Sequence, residues 1–490
     1  MTMTGETRMS RGRAGVAPEV AHELELSGDA FRELVGQALE HLCRFLDSVA
    51  DEPLDGARHL DPAALARALR APAPETGSDA ATLLRDLFER MVPPSFAATS
   101  PGFMAYVPGG GLPHAAVADL VADVVNRYIG VWRAAPALVQ LEANVVRWLC
   151  DLVEFPPTAR GVLTTGGSLA GLSALITARR ARLEDDVGGA VIYVSDQVHH
   201  SVTKAAVQVG FPARAVRVIP SDASFKVDVG ALERSIAADR AAGARPFLVV
   251  GSAGTTNTGA VDDLAAIGDV AVREGLWFHV DAAYGGFFLL TERGRAAMRG
   301  IARADSVVLD PHKGLFLPYG TGAVLVRDGA ALRRAFGGTA AYMPALQDEP
   351  DLVDFCEISP ELSRDFRGLR LWLPIQMHGL GAFRRALDEK LDLAAWAAAA
   401  LRDIDGVEIA AEPQLSTVAF RLWRDGHGTA ELDRLNRALL ERINARQRVL
   451  LTGTVVGGRF VLRICIVSFR THLDRVRECV EIVREAVGEV

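Results

Sequence analysis

The sequence predicts an α/β fold, with a mainly parallel sheet in a large domain and a small C-terminal α+β domain. Two observations carry this. Between residues 141 and 326 candidate strands at 161–163, 190–194, 215–219, 247–251 and 277–280 alternate with helical stretches, the pattern of strands joined by crossover helices. From 407 to 490, strands at 417–422 and 459–465 alternate with helices at 431–444 and 473–486, after a long helix at 371–393 that leaves the large domain. The expected divisions are 1–100 for the N-terminal segment, 101–395 for the large domain and 396–490 for the small one.

In chain order, the opening MTMTGETRMSRGRAG is polar, lacks the apolar middle of a signal peptide and reads as a disordered start. From Ser27, residues Phe31, Leu34, Val35, Leu39, Leu42, Phe45 and Leu46 fall on one face at steps of three and four. That spacing predicts a helix whose apolar side needs a partner. Residues 62–69 and 80–91 are also helical, with the Ala-Pro-Ala-Pro at 71–74 forcing a break between them. PGFMAYVPGGG, 101–111, is a turn-rich loop that suits a pocket wall or a surface turn equally, and 113–125 returns to helix.

Composition narrows the class. The 490 residues are 49% hydrophobic and 23% charged, enough for one large core and a smaller second one. A net charge of -8 offers no basic face to nucleic acid, and no apolar run approaches the ~20 residues of a membrane span. Cys43, Cys150, Cys356, Cys465 and Cys479 form no CxxC or metal-ligand spacing, which points to a reducing cytoplasm and no metal site.

Chemistry gathers where the expected strands end. In SVVLDPHKGLFLPYGTGAVLV, Lys313 lies on the irregular connection between the buried runs 307–309 and 323–326. An amine held against a core loses some of its preference for the charged form and can attack a carbonyl; a lysine that snorkels to water is the plainer alternative. In GVLTTGGSLAGLSALITARR, glycines lead straight into a helix whose first N–H groups suit an anion, although no GKT or GKS follows and Ser168 could be a simple N-cap. SDQVHHSVTKAA brings His199 and His200, of which at most one faces a common site. GSAGTTNTGAVDDL supplies a hydroxyl-rich turn at Thr255 and Thr256. In LWFHVDAAYGGFFL, Asp281 ends an apolar strand and needs a cation opposite it, either an internal salt bridge or a protonated pyridine nitrogen, with Ala283 small enough to let a flat ring lie close. An aldehyde-capturing amine, an anion cradle, an aromatic lid and a buried carboxylate are together the parts that pyridoxal phosphate needs.

TTGGSLAGLSAL, DQVHHSV, GTTNTGAVDDL, HVDAAYGG, DPHKG and SPELSRDFRGLRLW, in this order, resemble the group II pyridoxal-phosphate decarboxylases, the family of aromatic-L-amino-acid decarboxylase. The likeness runs from about Phe31 to the C-terminus. It implies the aspartate-aminotransferase type of fold (fold type I), and a homodimer with sites at the interface. It also implies roles. Lys313 would hold the cofactor as a Schiff base, Asp281 would bind the pyridine nitrogen, and His199 would stack on the ring near the substrate carboxylate. Gly167 and Ser168 would take the phosphate, Thr256 and Ala283 would lie beside the ring, and Asp310 and His312 would be the polar residues before the lysine. Tyr342, at 342 - 313 = 29 residues past the lysine in a loop of little periodicity, matches a tyrosine that decarboxylases of the family carry and related aldehyde synthases replace by phenylalanine. A phenol can protonate a carbanion; a phenyl ring cannot.

Some positions depart from the family pattern. Gly314 stands where many members have tryptophan, and Asp365 where a second arginine is common. Gly109 and Val131 stand where a threonine and a phenylalanine wall a catechol ring, so catechol contacts are not expected. The expected reaction is decarboxylation of an L-amino acid, an aromatic one, to its amine. The alternatives are an oxygen-dependent aldehyde synthase, a decarboxylase of aliphatic amino acids or, should Arg133 face the site, of acidic ones, and a cofactor-binding protein without turnover.

Overall fold

The computed structural model describes residues 22–183, 185–338, 346, 349 and 351–490. The polar start at 1–15 and the loop tyrosine Tyr342 lie outside them. The chain divides into two units. The first, 22–48 with 61–94, holds α1 (Gly28–Ser48), α2 (Pro62–Ala68) and α3 (Ala80–Asp86), the last running on into a π-helical turn at Leu87–Met91. Asp61 and Asp79 cap α2 and α3 by accepting from the N–H groups of Ala63 and Thr82, which sets where each helix starts. The apolar stripe expected along α1 is present, yet none of its residues is buried.

The second unit, 49–60 with 95–490, is built on two sheets. After α4 (Pro113–Val125) and α5 (Pro136–Leu152), the seven-stranded sheet begins with β1 (Arg160–Thr164), followed by α6 (Gly167–Arg182), β2 (Ala190–Ser195), α7 (His200–Gln208), β3 (Val216–Ile219) and α8 (Val229–Ala241). It continues through β4 (Arg245–Ser252), α9 (Leu264–Glu274), β5 (Trp277–Asp281), α10 (Glu292–Ala297), β6 (Ser306–Leu309), the one-turn α11 (Pro311–Gly314), β7 (Gly322–Val326) and α12 (Gly329–Phe336). The strand order is β1-β7-β6-β5-β4-β2-β3. β7 is antiparallel to both neighbours and the other pairings are parallel, so every strand but β7 runs one way. Each strand expected in this region is present.

Except in the edge strand β3, which carries Arg217 and an exposed Val218, their apolar runs are continuous because both faces are covered. Along β2, Val191 and Tyr193 enter the core on one side while Ala190, Ile192 and Val194 enter that on the other. Val307 and Leu309 of β6 likewise oppose Val308.

One helix differs from expectation. α13 (Gly368–Arg402) covers the expected 371–393 but is interrupted at Gly379, whose φ of 68° is left-handed, so two helices meet there. Beyond it a four-stranded antiparallel sheet, order β10-β11-β9-β8, comprises β8 (Val407–Ala411), β9 (Thr417–Leu422), β10 (Thr452–Val456) and β11 (Arg459–Cys465), with α14 (Thr429–Ala445) and α15 (Leu473–Val487) packed on it. Tyr284, buried after β5, ties the sheets together: its hydroxyl bonds Ser416 Oγ at 2.9 Å and accepts from Ser416 N and Thr417 Oγ1, both at 3.0 Å.

A buried ion pair anchors β1. Glu142 of α5 meets Arg364 at 2.5 Å with both side chains fully buried, and its second oxygen accepts from Gly368 N at 2.8 Å. Arg364 and Arg367 each donate to the Leu163 carbonyl at 3.0 Å. Glu142→Ala leaves Arg364 charged without its carboxylate partner, and is expected to cost ~3–5 kcal/mol in urea unfolding of the cofactor-free protein. A loss below ~1 kcal/mol would show that the pair does not hold this edge.

Candidate active site

Five strands that run the same way end at one edge of the large sheet, and the chain beyond each end turns into the same cavity, of about 310 Å³. Its lining includes Gly167, Ser168, His199, Thr256, Asp281, Ala283, Asp310, His312 and Lys313. The volume lies at the lower end of the roughly 300–1,000 Å³ of small-molecule sites.

After β1, Gly166 is the N-cap of α6 and offers no side chain to the helix start. The first N–H groups of a helix have no intrahelical partner, and the exposed Ser168 hydroxyl bonds nothing among the described residues; both are available to an anion. After β2, His199 caps α7: its Nδ1 accepts from Ser201 N at 3.3 Å and lies 2.7 Å from Ser201 Oγ. That leaves the proton of the neutral ring on Nε2. Burial lowers the pKa of His199, against the opposing pull of Asp281, so the ring is neutral at pH 7. His200 is exposed.

After β4, the Thr255 hydroxyl is taken up by Thr258 Oγ1 at 3.0 Å, whereas that of Thr256 bonds nothing among the described residues. At the end of β5, Asp281 is half-buried and accepts from the N–H of the buried Ala283 at 3.1 Å. No Lys, Arg or His nitrogen among the described residues lies within ion-pair distance of it. A carboxylate that faces a cavity without a cation fits a protonated ring nitrogen. After β6, the Lys313 amine lies 2.9 Å from Asp310 Oδ2, and His312 Nδ1 lies 2.5 Å from the Thr321 carbonyl.

Amine, unpaired carboxylate and anion cradle thus share one space, and pyridoxal phosphate fits that donor set. The pyridoxal-dependent decarboxylase conserved domain matches residues 62–423. The chain belongs to that family. It is 34% identical to an aromatic-L-amino-acid decarboxylase of Bacillus atrophaeus over 96% of this chain and 98% of the other. In structure it is similar to Oryza sativa TDC with PLP and tryptamine (TM-score 0.90, 29% identity, 95% of this chain and 99% of the other). It is also similar to 4-hydroxyphenylacetaldehyde synthase of Rhodiola rosea (TM-score 0.88, 25% identity, 95% and 99%). The protein is therefore a pyridoxal-phosphate-dependent amino-acid decarboxylase with an α/β fold of type I.

Two expected residues lie elsewhere in this decarboxylase. Gly109 and Val131 do not line the cavity. Gly109 stands against the back of the lysine turn: a Cβ there would come within 2.0 Å of the His312 carbonyl oxygen, so close backbone approach excludes any side chain. Val131 is fully buried. Gly314 is pressed on Phe287, at 2.6 Å from a hypothetical Cβ, which leaves no room for tryptophan. Exposed Arg133 does not line the cavity.

Four supporting residues escaped the sequence reading. Arg364 and Arg367 hold the carbonyl just before the cradle, a role that needs a partner over two hundred residues away. Asp262, pushed up to about 6 by burial, accepts from Ser252 N and Val227 N at 2.7 Å and fixes the end of β4. An acid directly after the apolar Ala260-Val261 was its signal. His279 precedes Asp281 by two on β5, hence on the same face. Fully buried, with Nδ1 2.8 Å from Ser306 Oγ, its pKa is pushed down to about 4 by desolvation.

The unfolded chain protonates that histidine near 6.5 and the folded protein only near 4. Its contribution to stability is complete above pH 6.5 and is lost as pH falls towards 4. The stability difference between wild type and His279→Asn should therefore change by about 3 kcal/mol across that window, read from denaturant curves at each pH. A difference independent of pH would mean that the ring binds its proton when folded.

Proposed function

We propose that this decarboxylase acts on an aromatic L-amino acid and yields the corresponding amine. The observation that carries the reading is the cavity shared by the Lys313 amine and the Asp281 carboxylate, which has no ion-pair partner among the described residues. Similarity to the Bacillus atrophaeus enzyme and to the Oryza sativa TDC with PLP and tryptamine supports the aromatic class.

Lys313 would hold the cofactor's aldehyde carbon, and Asp281 would keep a proton on the ring nitrogen. Gly167 and Ser168 would receive the phosphate, while Thr256 and Ala283 flank the ring, and Asp310 and His312 border the lysine. His199 would lie on the ring face, its Nε2–H directed to the substrate carboxylate. Bound there, pyridoxal phosphate supplies an aldehyde that takes up the substrate amine and a protonated ring that draws off the electron pair left by carbon dioxide.

We also read the working form as a homodimer. Leu34, Leu39, Leu42 and Leu46 of α1 are 38–50% exposed, and Val117, Leu120, Val121 and Val124 of α4 are 43–58% exposed, apolar stripes of the kind that a second subunit covers. No helix among the described residues is long and apolar enough to cross a membrane, and five unpaired cysteines support work in a reducing cytoplasm. The parts 1–100, 101–395 and 396–490 would be the N-terminal segment, the cofactor domain and the small domain.

Carbon dioxide and amine should form from tryptophan, tyrosine or phenylalanine in a survey of the common L-amino acids, and preferred turnover of glutamate or aspartate would overturn the aromatic class. Lys313→Ala should lose the visible band of lysine-bound cofactor and nearly all turnover. A borohydride-fixable cofactor in that variant would end the assignment.

The aldehyde-forming alternative is favoured by the likeness to the Rhodiola rosea synthase, and Tyr342 decides between them. If its phenol protonates the substrate carbon, Tyr342→Phe should still release carbon dioxide but form aldehyde and peroxide in air. Unchanged amine yield would assign the proton to another group.

A further inference from the structure

Asp310 is 2% exposed, and its carboxyl lies between the two functional ends of the cavity. Oδ2 is 2.9 Å from Lys313 Nζ and 3.7 Å from His312 Nε2; Oδ1 has no hydrogen-bond partner among the described residues. Both oxygens abut Gly167 at the start of α6, where a Cβ would stand 2.8 and 3.1 Å from them. The pair with Lys313 is set by the backbone, since Lys313 N bonds the Asp310 carbonyl at 2.9 Å within a single turn.

His312 cannot serve instead. A carbonyl only accepts, so His312 Nδ1 carries the proton towards Thr321, and a neutral ring has only a lone pair at Nε2. Burial lowers its pKa and favours that neutral form. Arg370 holds the same turn by donating to Thr321 Oγ1 at 2.7 Å, and its charge is spent on Asp119 at 2.7 Å. Among the described residues the Lys313 ammonium is therefore the cation at hydrogen-bond distance from this buried carboxylate. When Lys313 is bonded to cofactor, Asp310 gives up that partner while an anionic phosphate enters the cradle beside it. A buried charge stripped of its partner is costly, so Asp310 favours the released lysine.

We propose that Asp310 is the seat of the Lys313 ammonium whenever the lysine is not bonded to cofactor, and so drives the exchange in which substrate nitrogen replaces lysine nitrogen. This rests on the reading that Lys313 carries the cofactor. In the exchange the carbon–nitrogen double bond to Lys313 breaks and the one to the substrate forms. The two protons that the substrate ammonium gives up end on Lys313, which leaves as an ammonium on Asp310. No electrons change hands. Asp310 is thus a positioning residue, acting through Lys313.

The test is Asp310→Asn, with Asp310→Ser as a second neutral variant should the first fail to fold. In cofactor-free protein, trinitrophenylation of Lys313 at one fixed pH, followed by peptide mass spectrometry, should be several-fold faster, and Asp310→Glu should restore most of the protection. In cofactor-loaded protein, the spectral equilibrium with added product amine should shift at least ~10-fold towards lysine-bound cofactor. An unchanged labelling rate or an unchanged exchange equilibrium overturns the proposal. Borohydride fixation of cofactor on Lys313 in the wild type separately tests the reading beneath it, and its failure would leave the cofactor-free labelling rate to decide whether the ion pair exists.

Discussion

Glu142 and Arg364 meet in a place that water does not reach, and the geometry of the cavity depends on that contact. Charges so placed must be satisfied by each other and by fixed dipoles, which makes them intolerant of displacement. Arg364 and Arg367 take the Leu163 carbonyl as a shared acceptor, so the end of β1 cannot drift. Three residues later the chain must present unpaired N–H groups to an anion. The SPELSRDFRGLRLW segment serves the site from behind, through the backbone it pins. Arg370, six residues after Arg364, does the same for the turn under His312.

The second constraint is desolvation. Covering both faces of the large sheet removes water from its strand ends, and groups there settle into the protonation state that their neighbours support. His279 is kept neutral, and His199 is directed by Ser201 so that one defined nitrogen carries its proton. Among the described residues, Asp281 stands without an ion-pair partner in the same enclosure where Lys313 has one. That asymmetry distinguishes a cofactor site from a network of structural salt bridges, in which each carboxylate would already be paired.

Much of the fold was legible in the sequence because it is encoded locally. Strands buried on both faces must be apolar throughout, and six of the seven runs in 160–326 announce themselves that way, while the edge strand β3 carries Arg217 and an exposed Val218. β8 and β10 did not, since Val407–Ala411 and Thr452–Val456 are half-exposed and carry a mixed pattern. The break in α13 was also missed, because glycine tolerates a helix as well as a left-handed turn and only packing selects between them.

At the site, residue identity was determined by the sequence alone: a lysine, an acid, a histidine and a glycine-led helix start, each at a strand end and in the order of a known family. What only the tertiary structure decided is which of them face one another. Among the described residues Asp281 has no ion-pair partner and Asp310 has one, yet the two are alike in sequence, each an acid after an apolar strand. Gly109 reads as a lost catechol contact, but folding sets it against the His312 carbonyl and makes it a requirement of backbone approach. Local sequence specifies what a residue can do, whereas burial and pairing are properties of distant segments brought together, and those set its charge and its partner.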